Sequence, residues 1–148
     1  MFQPSLAILE ENQKTRRFCK FTGHAEVTKI VFNTKEITLG DLLTVFFATH
    51  DPITPNRQGN DIGTQYRSAI FFSTLEQKRI IEKFIKDLGS GKSVPKIVTE
   101  VKPFSTFFSA EDYHKNFYER NRHAPYCQLV ISPKLEKVEA DFQNLLTK

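Results

Sequence analysis

Cysteine is scarce in this chain, with only Cys19 and Cys127 among 148 residues. Two thiols do not make a disulfide framework, so a reducing setting such as the cytoplasm is the expectation. Tryptophan is absent, and fourteen phenylalanines leave the core dependent on one aromatic type. No apolar run approaches the roughly 20 residues that a membrane span needs, and the N-terminus lacks the basic and apolar regions of a secretory signal. No glycine-rich phosphate loop or dinucleotide fingerprint is present. His24, His50, His114 and His123 show no metal-like spacing with a third ligand. They read as loop and cap residues, and no bound metal or cofactor is expected.

What is present fits an ordinary globular chain, 39% hydrophobic and 26% charged. One domain of this length buries roughly two-thirds of its unfolded surface. The net charge of +4 is dispersed, with Arg16, Arg17 and Lys20 as the densest cluster and Glu10-Glu11 just upstream. A nucleic-acid surface needs a stripe of Lys and Arg interleaved with stacking aromatics. None is found, so a solvated basic surface is the better reading, with neither nucleic acid nor membrane as partner.

Periodicity divides the chain into alternating strands and helices. Residues 1–13 show no clear period, although Leu6, Ile8 and Leu9 are able to dock. Glu26 to Phe32 alternates and is β-branched, which predicts a strand. Thr38 with Asp41 resembles a capping box for a helix to about Ala48. Tyr66 to Phe72 predicts a second strand, and Thr74 with Gln77 caps a helix that ends at Gly89 and Gly91. Ile97 to Val101 predicts a third strand, followed by an aromatic loop from Phe104 to Phe108. Ser109 with Asp112 caps a polar helix to about Asn121, and a last helix starts at Pro133 and runs towards Leu146. The order points to an α/β or α+β domain of two layers.

Between the first helix and the second strand lies a loop of about 16 residues, longer than ordinary connections and therefore a functional candidate. It reads His50-Asp51-Pro52, then Asn56-Arg57-Gln58-Gly59-Asn60-Asp61-Ile62-Gly63-Thr64-Gln65-Tyr66-Arg67-Ser68. This order, together with Thr22-Gly23-His24-Ala25-Glu26-Val27 and Glu111-Asp112-Tyr113-His114, closely resembles the A-type peptide methionine sulfoxide reductases. The resemblance runs from about Cys19 to Leu146. It implies a mixed sheet with flanking helices around a ferredoxin-like core, and a peptide-methionine (S)-S-oxide reductase that restores methionine in oxidised proteins or as the free amino acid.

In that family a cysteine thiolate attacks the sulfoxide sulfur and becomes a sulfenic acid, while a nearby acid protonates the departing oxygen. By position Glu26 is that acid, a role suited to a carboxyl kept neutral by burial. Read without its flanking residues it is a strand-edge glutamate facing water. Asp61 and Tyr66 match the residues that hold the substrate oxygen, and otherwise read as a turn residue and a core-covering tyrosine. Tyr126 and Cys127 resemble the family's Tyr-Cys pair, with Tyr126 as a substrate contact. Cys127 is then a recycling thiol whose disulfide thioredoxin or another thiol reductant reduces. The apolar, strand-like run Gln128-Leu129-Val130-Ile131 equally supports a buried, inert cysteine.

The family's nucleophile motif, G-C-F-W, occurs nowhere in the sequence. Residues 1–18 remain an unassigned segment and residues 19–148 a partial family domain. The family's first strand and helix are expected to be missing, with exposed apolar surface in their place. The chain as written is therefore expected to be inactive, and the complete form to be a monomer. Cys19, whose pKa the neighbouring Arg16, Arg17 and Lys20 would depress, lies near a family cysteine that is not the nucleophile. The alternative is a non-catalytic module that binds oxidised methionine.

Overall fold

A computed structural model describes residues 5–8, 23–91, 95–108 and 117–146. The chain divides into two units, Met1–Ser109 and Ala110–Lys148, each considered by itself. In the first, local capping starts both long helices. Thr38 Oγ1 accepts from the Asp41 N–H at 3.1 Å and Asp41 Oδ2 accepts from the Thr38 N–H at 3.0 Å. This reciprocal box opens α1 (Leu39–Thr49), as the sequence predicts. Thr74 Oγ1 accepts from the Gln77 N–H at 3.2 Å and opens α2 (Leu75–Leu88), with Gly89 as its C-cap.

The main sheet has four described strands: β1 (Ser5–Ile8), β2 (Lys29–Phe32), β5 (Ala69–Phe72) and β6 (Glu100–Pro103), in the order β2-β1-β5-β6. β1 is antiparallel to both neighbours, whereas β5 and β6 run parallel, joined through α2. The sheet is thus mixed, as expected. An inner position belongs to Ser5–Ile8, inside the segment that carries no periodic signal. An inner strand is hydrogen-bonded on both edges, and four residues are too short to show a period.

Alternation along each strand puts Ile30, Phe32, Ile70, Phe72 and Val101 on one face. That face packs against α1 and α2 through Leu39, Leu43 and Ile81, all buried. Phe47 of α1 stacks on Phe84 of α2 with ring centres 5.7 Å apart. Two layers around one apolar seam result. The sheet and the helix pair also give the loop after α1 a rigid base.

Three strands differ in extent from their sequence patterns, and each has a pairing reason. Glu26 and Val27 alternate in burial but precede β2, because the Glu26 N–H goes to the carbonyl of Gln65 instead of a strand. Thr64–Tyr66 forms a 3-10 turn, so β5 begins only at Ala69. Residues 95–99 run beside the loop, where the Val98 N–H donates to the Pro52 carbonyl, and β6 starts at Glu100.

The second unit contains α3 (Phe117–Arg120), a π-helical turn (Cys127–Ile131), α4 (Ser132–Asp141) and α5 (Gln143–Leu146). The run after Cys127 is therefore helical, not strand-like: the Gln128 N–H donates to the Ala124 carbonyl at 3.1 Å and the turn leads directly into α4. The expected caps Ser109 and Asp112 lie outside the described residues.

Candidate functional site

The long loop is a hydrogen-bonded scaffold with its own small hairpin. β3 (Arg57–Gln58) pairs antiparallel with β4 (Asp61–Ile62). Of the two turn residues between them only Gly59 has positive φ, +57°, the pattern of a type II′ turn with glycine first. The Gln58 side chain spans the loop base, donating to the Asp51 carbonyl at 2.7 Å and accepting from the Asp51 N–H at 3.0 Å. Asp51 Oδ1 accepts from the N–H groups of Ile53 at 2.8 Å and Thr54 at 3.1 Å, and Oδ2 from the Thr54 hydroxyl. These bonds, the Thr54 hydroxyl foremost, hold the Asp51 carboxyl below the usual carboxylate range against the opposing effect of burial.

At the loop entrance, His50 caps α1. Its Nδ1 lies 2.7 Å from the Phe46 carbonyl and its Nε2 2.7 Å from Ser68 Oγ, which is in turn 2.8 Å from Thr99 Oγ1. The cap role read from sequence therefore holds for this histidine. The ring also ties α1 to the entrance of β5 and to the strand-like residues before β6.

At the loop exit the Arg67 guanidinium makes four hydrogen bonds. Nη1 donates to the carbonyls of His24 at 3.0 Å and Thr64 at 2.8 Å, Nη2 to the carbonyl of Gly23 at 3.0 Å, and Nε to Glu100 Oε2 at 3.1 Å. With the 2.7 Å bond from the Glu26 N–H to the Gln65 carbonyl, these contacts join two pieces far apart in sequence. Gly23-His24-Ala25-Glu26 lies directly beside Thr64-Gln65-Tyr66. Burial raises the Glu100 carboxyl, but hydrogen bonds from Lys102 and Arg67 outweigh it and hold the group below its ordinary value.

Alternation sorts the side chains of this first piece. Ala25 and Val27 are buried, whereas His24, Glu26 and Thr28 are exposed. The outward-facing His24 ring meets the edge of Phe108 at 5.2 Å, and the Lys29 ammonium lies 5.6 Å from the centre of Phe107. The aromatic loop thus flanks the outward row that carries Glu26. Tyr66 and Asp61 are both half-buried.

Glu26, Asp61 and Tyr66 all belong to the first unit. Tyr126 and Cys127 belong to the second, where Tyr126 is exposed against the edge of Phe117 and Cys127 is fully buried in the π-helical turn. Cys19, Arg16, Arg17 and Lys20 lie outside the described residues. Among the described residues no group of three or more His, Cys, Asp or Glu is arranged to hold a metal ion, and no helix is long and apolar enough to cross a membrane.

Sequence reading overlooks Arg67, Gln58 and the Ser68–Thr99 pair. Their only visible signal is a lone arginine and small hydroxyl residues at a loop-to-strand junction, since their partners lie up to 44 positions away.

A family model described as peptide methionine sulfoxide reductase matches residues 10–146. The peptide methionine sulfoxide reductase MsrA of Sulfolobus acidocaldarius is 53% identical over 123 residues, covering 83% of this chain and 69% of that protein. The MsrA of Saccharolobus solfataricus is 52% identical over 118 residues, covering 78% of this chain and 65% of that protein. The chain thus spans about two thirds of the length of these curated relatives. Among solved structures, reduced Mxr1 from Saccharomyces cerevisiae superposes with a TM-score of 0.61 at 31% identity, over 83% of this chain and 73% of that one.

Proposed function

Because the chain belongs to the peptide methionine sulfoxide reductases, a family of oxidoreductases, we propose that its first unit recognises methionine-S-sulfoxide, in proteins or as the free amino acid, for reduction to methionine. In that reaction a thiolate attacks the sulfoxide sulfur and the S–O bond breaks. The oxygen, once protonated, passes from the methionine sulfur to the cysteine sulfur, which leaves methionine as the thioether and the cysteine as a sulfenic acid. A second thiol condenses with it, releasing water and closing a disulfide, which thioredoxin or another thiol reductant then reduces. The observation that carries the reading is the bond from the Glu26 N–H to the Gln65 carbonyl, 2.7 Å long, which sets the candidate acid beside the segment of the substrate contacts.

Each residue then has a role. Glu26 gives the proton to the departing oxygen. It is exposed, so the desolvation that keeps a carboxyl protonated near neutral pH comes from substrate covering it. Tyr66 donates a hydrogen bond to the sulfoxide oxygen, and Asp61 orients a polar neighbour or water beside it. Tyr126 is a further substrate contact, and Cys127 the recycling thiol. The attacking thiol is the scarce component: the sequence contains only Cys19 and Cys127 and no G-C-F-W. These 148 residues alone are therefore expected not to turn over.

The test is reduction of a methionine-S-sulfoxide peptide with dithiothreitol, beside Cys19→Ser and Cys127→Ser variants. No turnover in any form agrees with recognition without an attacking thiol. Turnover abolished by only one substitution identifies a relocated nucleophile and overturns that part of the reading. A second reading, a binding module for oxidised methionine, draws on the bracing of the recognition segments while Cys127 is buried. Saturable binding of the peptide, lost in Asp61→Ala, supports it.

A further inference from the structure

We infer that Arg67 is the positioning residue for Glu26, the residue that holds the candidate acid in register against the Gln65–Tyr66 turn. The inference rests on the recognition reading above. Three of its bonds go to main-chain carbonyls, those of Gly23, His24 and Thr64. Two of those carbonyls precede Glu26 on one segment, and the third precedes Gln65 on the other. The guanidinium therefore bridges the two pieces, and the Glu26 N–H joins them a second time at Gln65.

Residues 23–28 lie outside the regular sheet, so no strand ladder fixes their register. Gly23 adopts φ +74°, a left-handed turn that puts its carbonyl within reach of Nη2. A planar guanidinium presents N–H groups in a rigid fork, which an ammonium cannot reproduce. Its charge is neutralised by Glu100, which also accepts from Lys102 at 2.7 Å. Arg67 itself is largely covered, its side chain 15% exposed, while the carbonyls it holds belong to the exposed residues Gly23, His24 and Thr64.

The experiment combines amide hydrogen exchange by NMR with calorimetric binding of a methionine-S-sulfoxide peptide, on the wild-type chain, Arg67→Lys and Glu100→Gln. Lysine keeps the charge but loses the fork. It is expected to speed exchange of the Glu26 amide by about tenfold or more and to weaken peptide binding by a similar factor, because a single ammonium cannot reproduce the fork that holds all three carbonyls at once. The Ile81 amide, deep in α2, is expected to keep its wild-type rate. Glu100→Gln keeps an acceptor for Nε and is expected to stay within about threefold on both readouts. Unchanged Glu26 exchange in Arg67→Lys overturns the inference. So does equal acceleration at Ile81, which marks a purely stabilising role, or accelerated Glu26 exchange with full-strength binding. If the wild-type chain binds no sulfoxide peptide, the recognition reading falls and the positioning role with it; the exchange rates still report separately whether Arg67 holds the segment.

Discussion

The Ser68 hydroxyl stands between His50 Nε2 and Thr99 Oγ1, and the direction of this chain follows from its far end. The Phe46 carbonyl can only accept, so His50 Nδ1 carries the proton. With the ring neutral, Nε2 accepts from Ser68, and Ser68 accepts from Thr99. Ser68 is buried, so Ser68→Ala removes two bonds in a protected place. A loss of about 1–3 kcal/mol is expected, read as a lower urea midpoint. Asp51 gives a pH-dependent counterpart. Its folded pKa is depressed, chiefly by the Thr54 hydroxyl. A carboxyl of this kind contributes stability above its unfolded value, about pH 4, and loses it as pH falls through the lower folded value. Glu100, also depressed, acts in the same direction. Asp51→Asn is expected to be less stable than wild type at neutral pH, with the gap closing towards about pH 3. Unfolding midpoints across that range check this; a constant gap would contradict it.

Among the elements, the two long helices are legible because their instructions are local. Thr38 with Asp41, and Thr74 with Gln77, lie three residues apart and find each other within one turn. Thr38→Ala is expected to cost about 1 kcal/mol, measurable by thermal or urea unfolding. The strands are less legible, because their ends depend on partners. β1 is invisible in the sequence pattern, and β2, β5 and β6 begin later than alternation suggests because the residues before them bond across the loop. The small hairpin is a third case. A Cβ at Gly59 meets nothing within 4 Å, so the cost of Gly59→Ala is conformational alone, roughly 1 kcal/mol for a left-handed residue. It is expected to appear mainly as faster exchange of the hairpin amides, with α2 unaffected.

At the scale of the whole molecule, the candidate site residues are divided between the two units. Cys127 bears directly on the chemistry because it is fully buried, and a recycling thiol has to meet another sulfur. In Cys19→Ser it becomes the sole thiol. Its reaction with a disulfide reagent is expected to be roughly a hundredfold slower in the folded chain than in urea, since attack waits on local opening. Equal rates would show that the turn around it opens freely and would restore its standing as a recycling cysteine.

The sequence by itself determined the family, the mixed two-layer class and the identity of Glu26, Asp61 and Tyr66 as candidates. Each of these is written in short-range order: motif strings, caps and alternation. Tertiary structure decided what those residues do next to one another. It gave Ser5–Ile8 an inner place in the sheet, left Glu26 exposed, buried Cys127 and made Arg67 the bridge between Gly23-His24 and Thr64. The physical reason is the distance along the chain. A backbone carbonyl carries no residue identity, so a side chain that recognises carbonyls 43 and 44 positions away leaves no trace in the sequence until the fold brings them together.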